Sequence, residues 1–369
     1  MRNLGPIKLN FIQILRGFAA MAVLMFHLDG DTLRHFNHSF FNFKYGYLGV
    51  DFFFALSGFI ITYIHLKDIE RRGGIKRFLT KRVIRIFPLY WLALIVAVVQ
   101  QAPDFVDKPE LTSLFTPFNL QGWTVILKNI FLLPLPIGQM PVGVAWTLTY
   151  ELVFYAVFAV CIFSGWKFSR YIVALWLLFI LLNSRDLFPK THWTEAIGGN
   201  LIVEFLAGCA IGYLFVKGKE LSAKWLLAGL FVITGLFTAY LFKREFNRYS
   251  IAMTSLMGAA SALIIFYAAT ADKNGRYARL ALPALVLIGD ASYSIYLTHS
   301  LYTSYICDLF NKMFNVTVLS NVALDAIICI VFLVSISIGV IIHLLIEKPM
   351  LNYLHDKFNL KRKKRIAPV

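Results

Sequence analysis

Charge is scarce in this chain. Only 15% of its 369 residues are Asp, Glu, Lys or Arg, where a soluble domain carries about a quarter. Acidic residues are the rarer kind, 20 against 36 basic. Cysteine is scarce as well. Cys161, Cys209, Cys307 and Cys329 are scattered among apolar runs without metal-ligand spacing, so neither a disulfide framework nor a cysteine metal site is indicated. No phosphate-cradling Walker loop, dinucleotide fingerprint or histidine-rich cluster occurs, which removes the motif-based case for nucleotide hydrolysis, dinucleotide redox chemistry or a metal centre. No repeat recurs at a fixed period, and the inverted repeat common in transporters is not evident. No polar stretch is long enough for a sizeable domain outside the apolar runs.

What fills the chain instead is apolar, 59% of all residues. The runs are of membrane length and none alternates as a barrel strand would, so each is read as a helix. The reading is all-α: a polytopic membrane bundle of about ten helices, near 9–28, 48–66, 86–101, 143–164, 170–185, 199–216, 223–242, 250–270, 284–305 and 319–347. Residues 123–137 are apolar but short and end in Pro134 and Pro136, as a half-helix or surface segment would. The first run lacks a small-residue cleavage site after it and is kept as a span. A bundle domain over 1–350 and a basic tail over 351–369 follow.

The net charge of +16 reflects topology rather than a nucleic-acid partner. Of the 36 Lys and Arg, 25 fall in one alternate set of loops and ten in the other, which puts both termini in the cytoplasm. Lys243, Arg244 and Arg248 run against this pattern. The tail cations Lys361 to Arg365 anchor the topology and favour anionic membrane lipid.

The first span carries an arginine and a histidine, both expensive in hydrocarbon. Arg16 and His27 are eleven positions apart, about three helical turns, so they share one face about 16 Å apart. With the topology above, Arg16, Arg82, Arg85 and Glu347 lie toward the cytoplasm, and His27, Asp51, Glu151 and His299 toward the outside. Inner guanidinium groups suit phosphates. An outer imidazole near a carboxylate suits general-base chemistry. Ser57-Gly58 reads first as a close-packing site, and Glu347-Lys348-Pro349 as a helix stop.

These residues together resemble the acyltransferase 3 family of integral membrane acyltransferases, in its polysaccharide-modifying branch. Arg16 and His27 meet its Arg-x10-His pattern. Supporting matches are Gly49 to Phe59 around Asp51, Arg82 and Arg85 before Phe87 to Trp91, Trp146 to Tyr155 around Glu151, and Tyr293 to His299. The resemblance implies an acyl-CoA donor, usually acetyl-CoA, and a sugar hydroxyl of a surface polysaccharide or related glycan as acceptor. The chain would then be a multi-pass protein of the bacterial cytoplasmic (inner) membrane. Carried over, it makes His27 the catalytic base and Arg16 a donor-binding residue. Arg82 and Arg85 become further donor ligands, and Glu151 or Asp51 the carboxylate that orients His27. His299 and Ser57 are candidate substrate contacts, and no metal is expected. Direct transfer and an acyl-enzyme on His27 or Ser57 both stay open, as do acetyl against succinyl or a longer group, the identity of the glycan and the oligomeric state. The competing readings are a transporter or flippase for a glycan or amphiphile, and a non-catalytic membrane subunit.

Overall fold

A computed structural model describes residues 9–40, 43–70, 74–107, 120–243, 247–314, 316, 319–358 and 360. The tail cations Lys361 to Arg365, and Arg244 from the loop that runs against the charge pattern, fall outside them. Among the described residues the chain is all-α, and nine helical segments are long and apolar enough to cross a membrane.

The long helices are α1 (Asn10–Phe36), α2 (Leu48–His65) and α3 (Gly74–Asp107). A short α4 (Leu120–Ile130) precedes α5 (Trp146–Ser164) and α6 (Trp166–Asn183). A single-turn α7 (His192–Gly198) leads into α8 (Ile202–Val216), α9 (Ala223–Lys243) and α10 (Ile251–Lys273). Then come α11 (Pro283–Asp290), α12 (Ser292–Thr298), α13 (Thr303–Phe314), α14 (Asn321–Ile342) and α15 (Lys348–Lys357).

Three sequence-based boundaries are corrected. The cationic stretch before residue 86 is not a loop: from Gly74 it is the first third of α3, which brings Arg82 and Arg85 onto a rigid rod. The single span expected over 284–305 is broken into α11, α12 and a 3₁₀ turn at His299–Leu301. At the first break Gly289 lets the chain touch α1, since a Cβ there would lie 2.0 Å from the Gln13 carbonyl oxygen. Pro349 does not stop the last helix. The π-helical turn His343–Glu347 widens the ladder, and Pro349 falls in the first turn of α15, where its missing N–H is not needed.

The half-helix expected near 123–137 is α4. Its end is tied to α3 by the Tyr90 hydroxyl, which donates to the Asn129 carbonyl at 2.7 Å, and by Trp91 Nε1, which donates to Ile130 at 2.9 Å.

The tightest packing joins α2 to α8. A Cβ on Gly58 would stand 2.0 Å from the Phe205 carbonyl oxygen, and one on Gly208 would stand 1.9 Å from that of Ala55. Only hydrogen at both positions lets the backbones touch. This fixes the height of Ser57 in the bundle. It also stacks Phe54 on Phe205 at 4.6 Å, with Phe154 on the other side at 4.8 Å.

Candidate active site

The predicted site residues fall into two groups along α1. The first surrounds Arg16. Glu347, 1% exposed, takes three partners: it forms an ion pair with Arg85, accepts from Ser294 Oγ at 2.7 Å and bonds His343 Nδ1 at 2.7 Å. The Arg85 guanidinium also lies 4.9 Å from the ring of Tyr293, whose hydroxyl donates to the Ile86 carbonyl at 2.8 Å. Glu151 accepts from Ser57 Oγ at 3.1 Å and from the Tyr155 hydroxyl. Arg82 lies over the rings of Tyr155 and Phe78 at 5.6 and 5.9 Å, and its buried Nε has no hydrogen-bond partner. Arg16 donates to Gln13 Oε1 at 2.6 Å and feels the fields of Arg85, Asp290, Glu347 and Glu151.

The expected place of Glu151 beside His27 is therefore corrected. Glu151 belongs with the arginines, four residues above the tyrosine that Arg82 covers. Its hydrogen-bond partners are Ser57 and Tyr155, so it does not orient His27. Glu151 is half-buried, and its negative charge offsets part of the cost of Arg16 inside the bundle.

The second group surrounds His27. Its Nδ1 lies 2.9 Å from the Val23 carbonyl oxygen. A carbonyl can only accept, so Nδ1 carries the hydrogen and Nε2 keeps the lone pair. His299 repeats the arrangement with the Ile295 carbonyl at 3.1 Å, and its buried Nε2 has no partner. The two rings stand 4.9 Å apart. No spacing in the sequence links them; His299 opens the 3₁₀ turn after α12 and meets α1 there. His27 is half-buried and lines a cavity of about 390 Å³ with Asp29, Asp31, Arg34, Lys44 and Ser300. Arg16 is not among the residues lining that cavity. Between the two groups lies Tyr296, 6.1 Å from the His299 ring, 5.7 Å from Phe53, and hydrogen-bonded to Thr147 at 2.8 Å.

Asp51 is a second correction. It sits at the His27 end, 2% exposed, but faces Arg248, with Oδ2 4.0 Å from Nη2, and stands beside Glu204. It is not a hydrogen-bond partner of His27. Sequence reasoning missed both of its neighbours. Arg248 was the cation that broke the topology pattern, and Glu204 a lone carboxylate inside an apolar run; each was a legible signal.

The fold and these two groups define a membrane-embedded, multi-pass protein with ionisable side chains gathered inside its helix bundle. A family model described as an acyltransferase domain matches residues 9–344. The chain belongs to this acyltransferase 3 family, which decides for a transferase over a transporter or a non-catalytic subunit. It is 29% identical over 304 residues to the exopolysaccharide production protein ExoZ of Rhizobium meliloti, covering 77% of this chain and 82% of that one. It is 25% identical over 323 residues to the peptidoglycan O-acetyltransferase OatA of Listeria monocytogenes (78% and 48%). With the O-acetyltransferase OatA of Staphylococcus aureus, identity is 24% over 327 residues (80% and 50%). The chain thus spans about half the length of the OatA relatives. No solved structure matches it.

Proposed function

We propose that the protein is an O-acetyltransferase of the bacterial cytoplasmic membrane. It takes an acetyl or other short acyl group from cytoplasmic acyl-CoA and esterifies a sugar hydroxyl of a surface polysaccharide or lipid-linked glycan on the outer side. The observation that carries this reading is the state of His27: Nδ1–H is held by Val23, and Nε2 is left as the basic atom in a side chain that lines a cavity. The names of the relatives support the acceptor class. The excess of cations in one set of loops supports the sidedness.

In the reaction the acceptor hydroxyl gives its proton to His27 Nε2 as its oxygen attacks the thioester carbonyl. The new C–O bond forms, the C–S bond breaks, and the imidazolium returns the proton to the departing thiolate. The orphaned Nε of Arg82 is a donor suited to an anionic oxygen, so the residues at the Arg16 end fit a phosphorylated donor. Arg82 binds it there, with Arg16 and Arg85 adding positive field. Tyr296 and Phe53 then stand on the route from the donor's entry to His27.

The test is thiol release from acetyl-CoA by the purified protein in detergent, with glycan from the producing cell as acceptor. Release that depends on acceptor and is lost in His27→Ala supports the reading. Release that His27→Ala leaves near normal rejects the base assignment.

A further inference from the structure

A second cavity, of about 360 Å³, lies beside the first on the other side of the 3₁₀ turn Lys44–Tyr47. Lys44 lines the His27 cavity, and Tyr45 and Tyr47 line this one. Its walls come from α2, α9 and α10, and its polar end is Asp51 and Arg248. The volume is at the small end for ligand pockets, about 300–1,000 Å³.

The polar end is unsatisfied in a particular way. Asp51 Oδ2 is buried and accepts no hydrogen bond, and Arg248 Nε and Nη2 are buried and donate none. At 4.0 Å the carboxylate and guanidinium are too far apart to bond directly. Neither atom is open to solvent, so an oxygen about 2.8 Å from each bridges them only once the two side chains part. That oxygen must accept from Arg248 and donate to Asp51, which a hydroxyl does and a phosphate or carboxylate oxygen does not. Glu204 stands beside Asp51, 0% exposed and within hydrogen-bond reach of it when one carboxyl keeps its proton, and sets two carboxyl groups against one guanidinium. A second anion is disfavoured there. The guanidinium is held flat by Tyr47, 3.7 Å from its ring centroid. Phe237, Met253 and Tyr45 offer apolar surface of the kind the carbon face of a sugar ring covers.

We propose that this cavity is a second sugar subsite, in which a hydroxyl of the acceptor glycan bridges Asp51 and Arg248 while the neighbouring residue presents its own hydroxyl to His27. The proposal rests on the glycan-acceptor reading above. It gives the exceptional cation Arg248 a task and assigns Asp51 to acceptor binding.

The experiment uses the full-length protein and oligosaccharides from the producing cell's own surface polysaccharide, size-fractionated into monosaccharides and trisaccharides. The parent should show the lower KM for trisaccharide. Asp51→Asn and Arg248→Gln should each raise that KM about tenfold with kcat within about twofold, closing the gap between the two sizes. Both groups are buried, so Thr234→Trp, which fills the cavity from the exposed side of α9, serves as the variant that spares the core. It should give the same KM effect. Equal KM for both sizes in the parent, or an unchanged trisaccharide KM in Thr234→Trp, overturns the subsite and leaves the glycan reading standing. Competition by inorganic phosphate that Arg248→Gln abolishes would make the site anionic and overturn it as well. Acetyl-CoA cleavage without transfer to either fraction rejects the glycan acceptor and the subsite together.

Discussion

The two ends of α1 carry the same kinds of side chain in opposite conditions. Around Arg16 nearly every polar group is used: Glu347 holds three partners, Glu151 two, and Arg85 both a carboxylate and a ring. Around His27, Asp29 and Asp31 accept from Ser39 and Thr303, but several groups are left open. His299 Nε2, Ser300 Oγ, Asp51 Oδ2 and two nitrogens of Arg248 lack hydrogen bonds, and both cavities described here are lined from this end. A satisfied network in a low-dielectric interior is rigid and holds helices in register. Unsatisfied groups beside a cavity are held ready for something that arrives. The difference teaches that charge inside a bundle does not by itself mark chemistry; the state of its hydrogen bonds sorts scaffold from reactive end.

The strongest way to break the comparison is at its reactive end. His27→Ala should lower acyl transfer about 10²–10⁴-fold, the range for a lost general base, with yield and elution profile on size exclusion as in the parent. Loss of both activity and folded protein would show that His27 belongs to the scaffold. Glu347→Ala should do the opposite. It leaves the half-buried Arg85 charge, Ser294 and His343 without their shared partner and should cost up to about 3 kcal/mol of stability, read as a fall in thermal midpoint in detergent beyond that of His27→Ala. An unaltered midpoint would mean that the Arg16 end is not the holding end.

Arg82 is the exception in the satisfied group, and it sharpens the contrast. Its Nε has no partner although its guanidinium covers two rings. A lost hydrogen bond to a charged group is worth about 1.5–3 kcal/mol, so Arg82→Ala should raise the KM for acyl-CoA about ten- to a hundredfold. Titrating donor at saturating acceptor measures this. A change confined to acceptor KM would take Arg82 out of donor binding.

The spans were legible because length and apolarity alone decide them, and the pairing of Arg16 with His27 on one face follows from helical period. The partners were not. Glu151 reads from the sequence as an outer carboxylate. Its neighbour Tyr155 is one turn on along α5, but Ser57 comes from α2, whose place against α8 depends on Gly58 and Gly208. His299 meets His27 beyond a break in what reads as a single span over 284–305. Arg248 folds back onto Tyr47 from a loop cation that charge counting could only mark as irregular. The turn that carries the chain past Pro349 is a backbone adjustment with no side-chain signature. Helix existence is a local property; helix depth, rotation and breaks are settled by neighbours.

The smallest expected effect is the most diagnostic for the chemistry. Ser57 sits in the satisfied group, donating to Glu151 at 3.1 Å, and Glu151 keeps Tyr155 as a second donor. The bond lost is to a carboxylate, worth about 1.5–3 kcal/mol of stability, but it lies at the satisfied end, away from the imidazole, so Ser57→Ala should lower the thermal midpoint and change kcat no more than about fivefold. If instead Ser57 carries the acyl group, the variant loses transfer altogether, and labelled acetyl that accumulates on the parent without acceptor disappears from the variant. That outcome would move the reacting atom some 10 Å or more down the bundle by helical rise. Glu151 would become the base beside a serine nucleophile, and His27 a contact to the acceptor. Retained transfer in Ser57→Ala keeps the chemistry at the imidazole, where the open hydrogen bonds are.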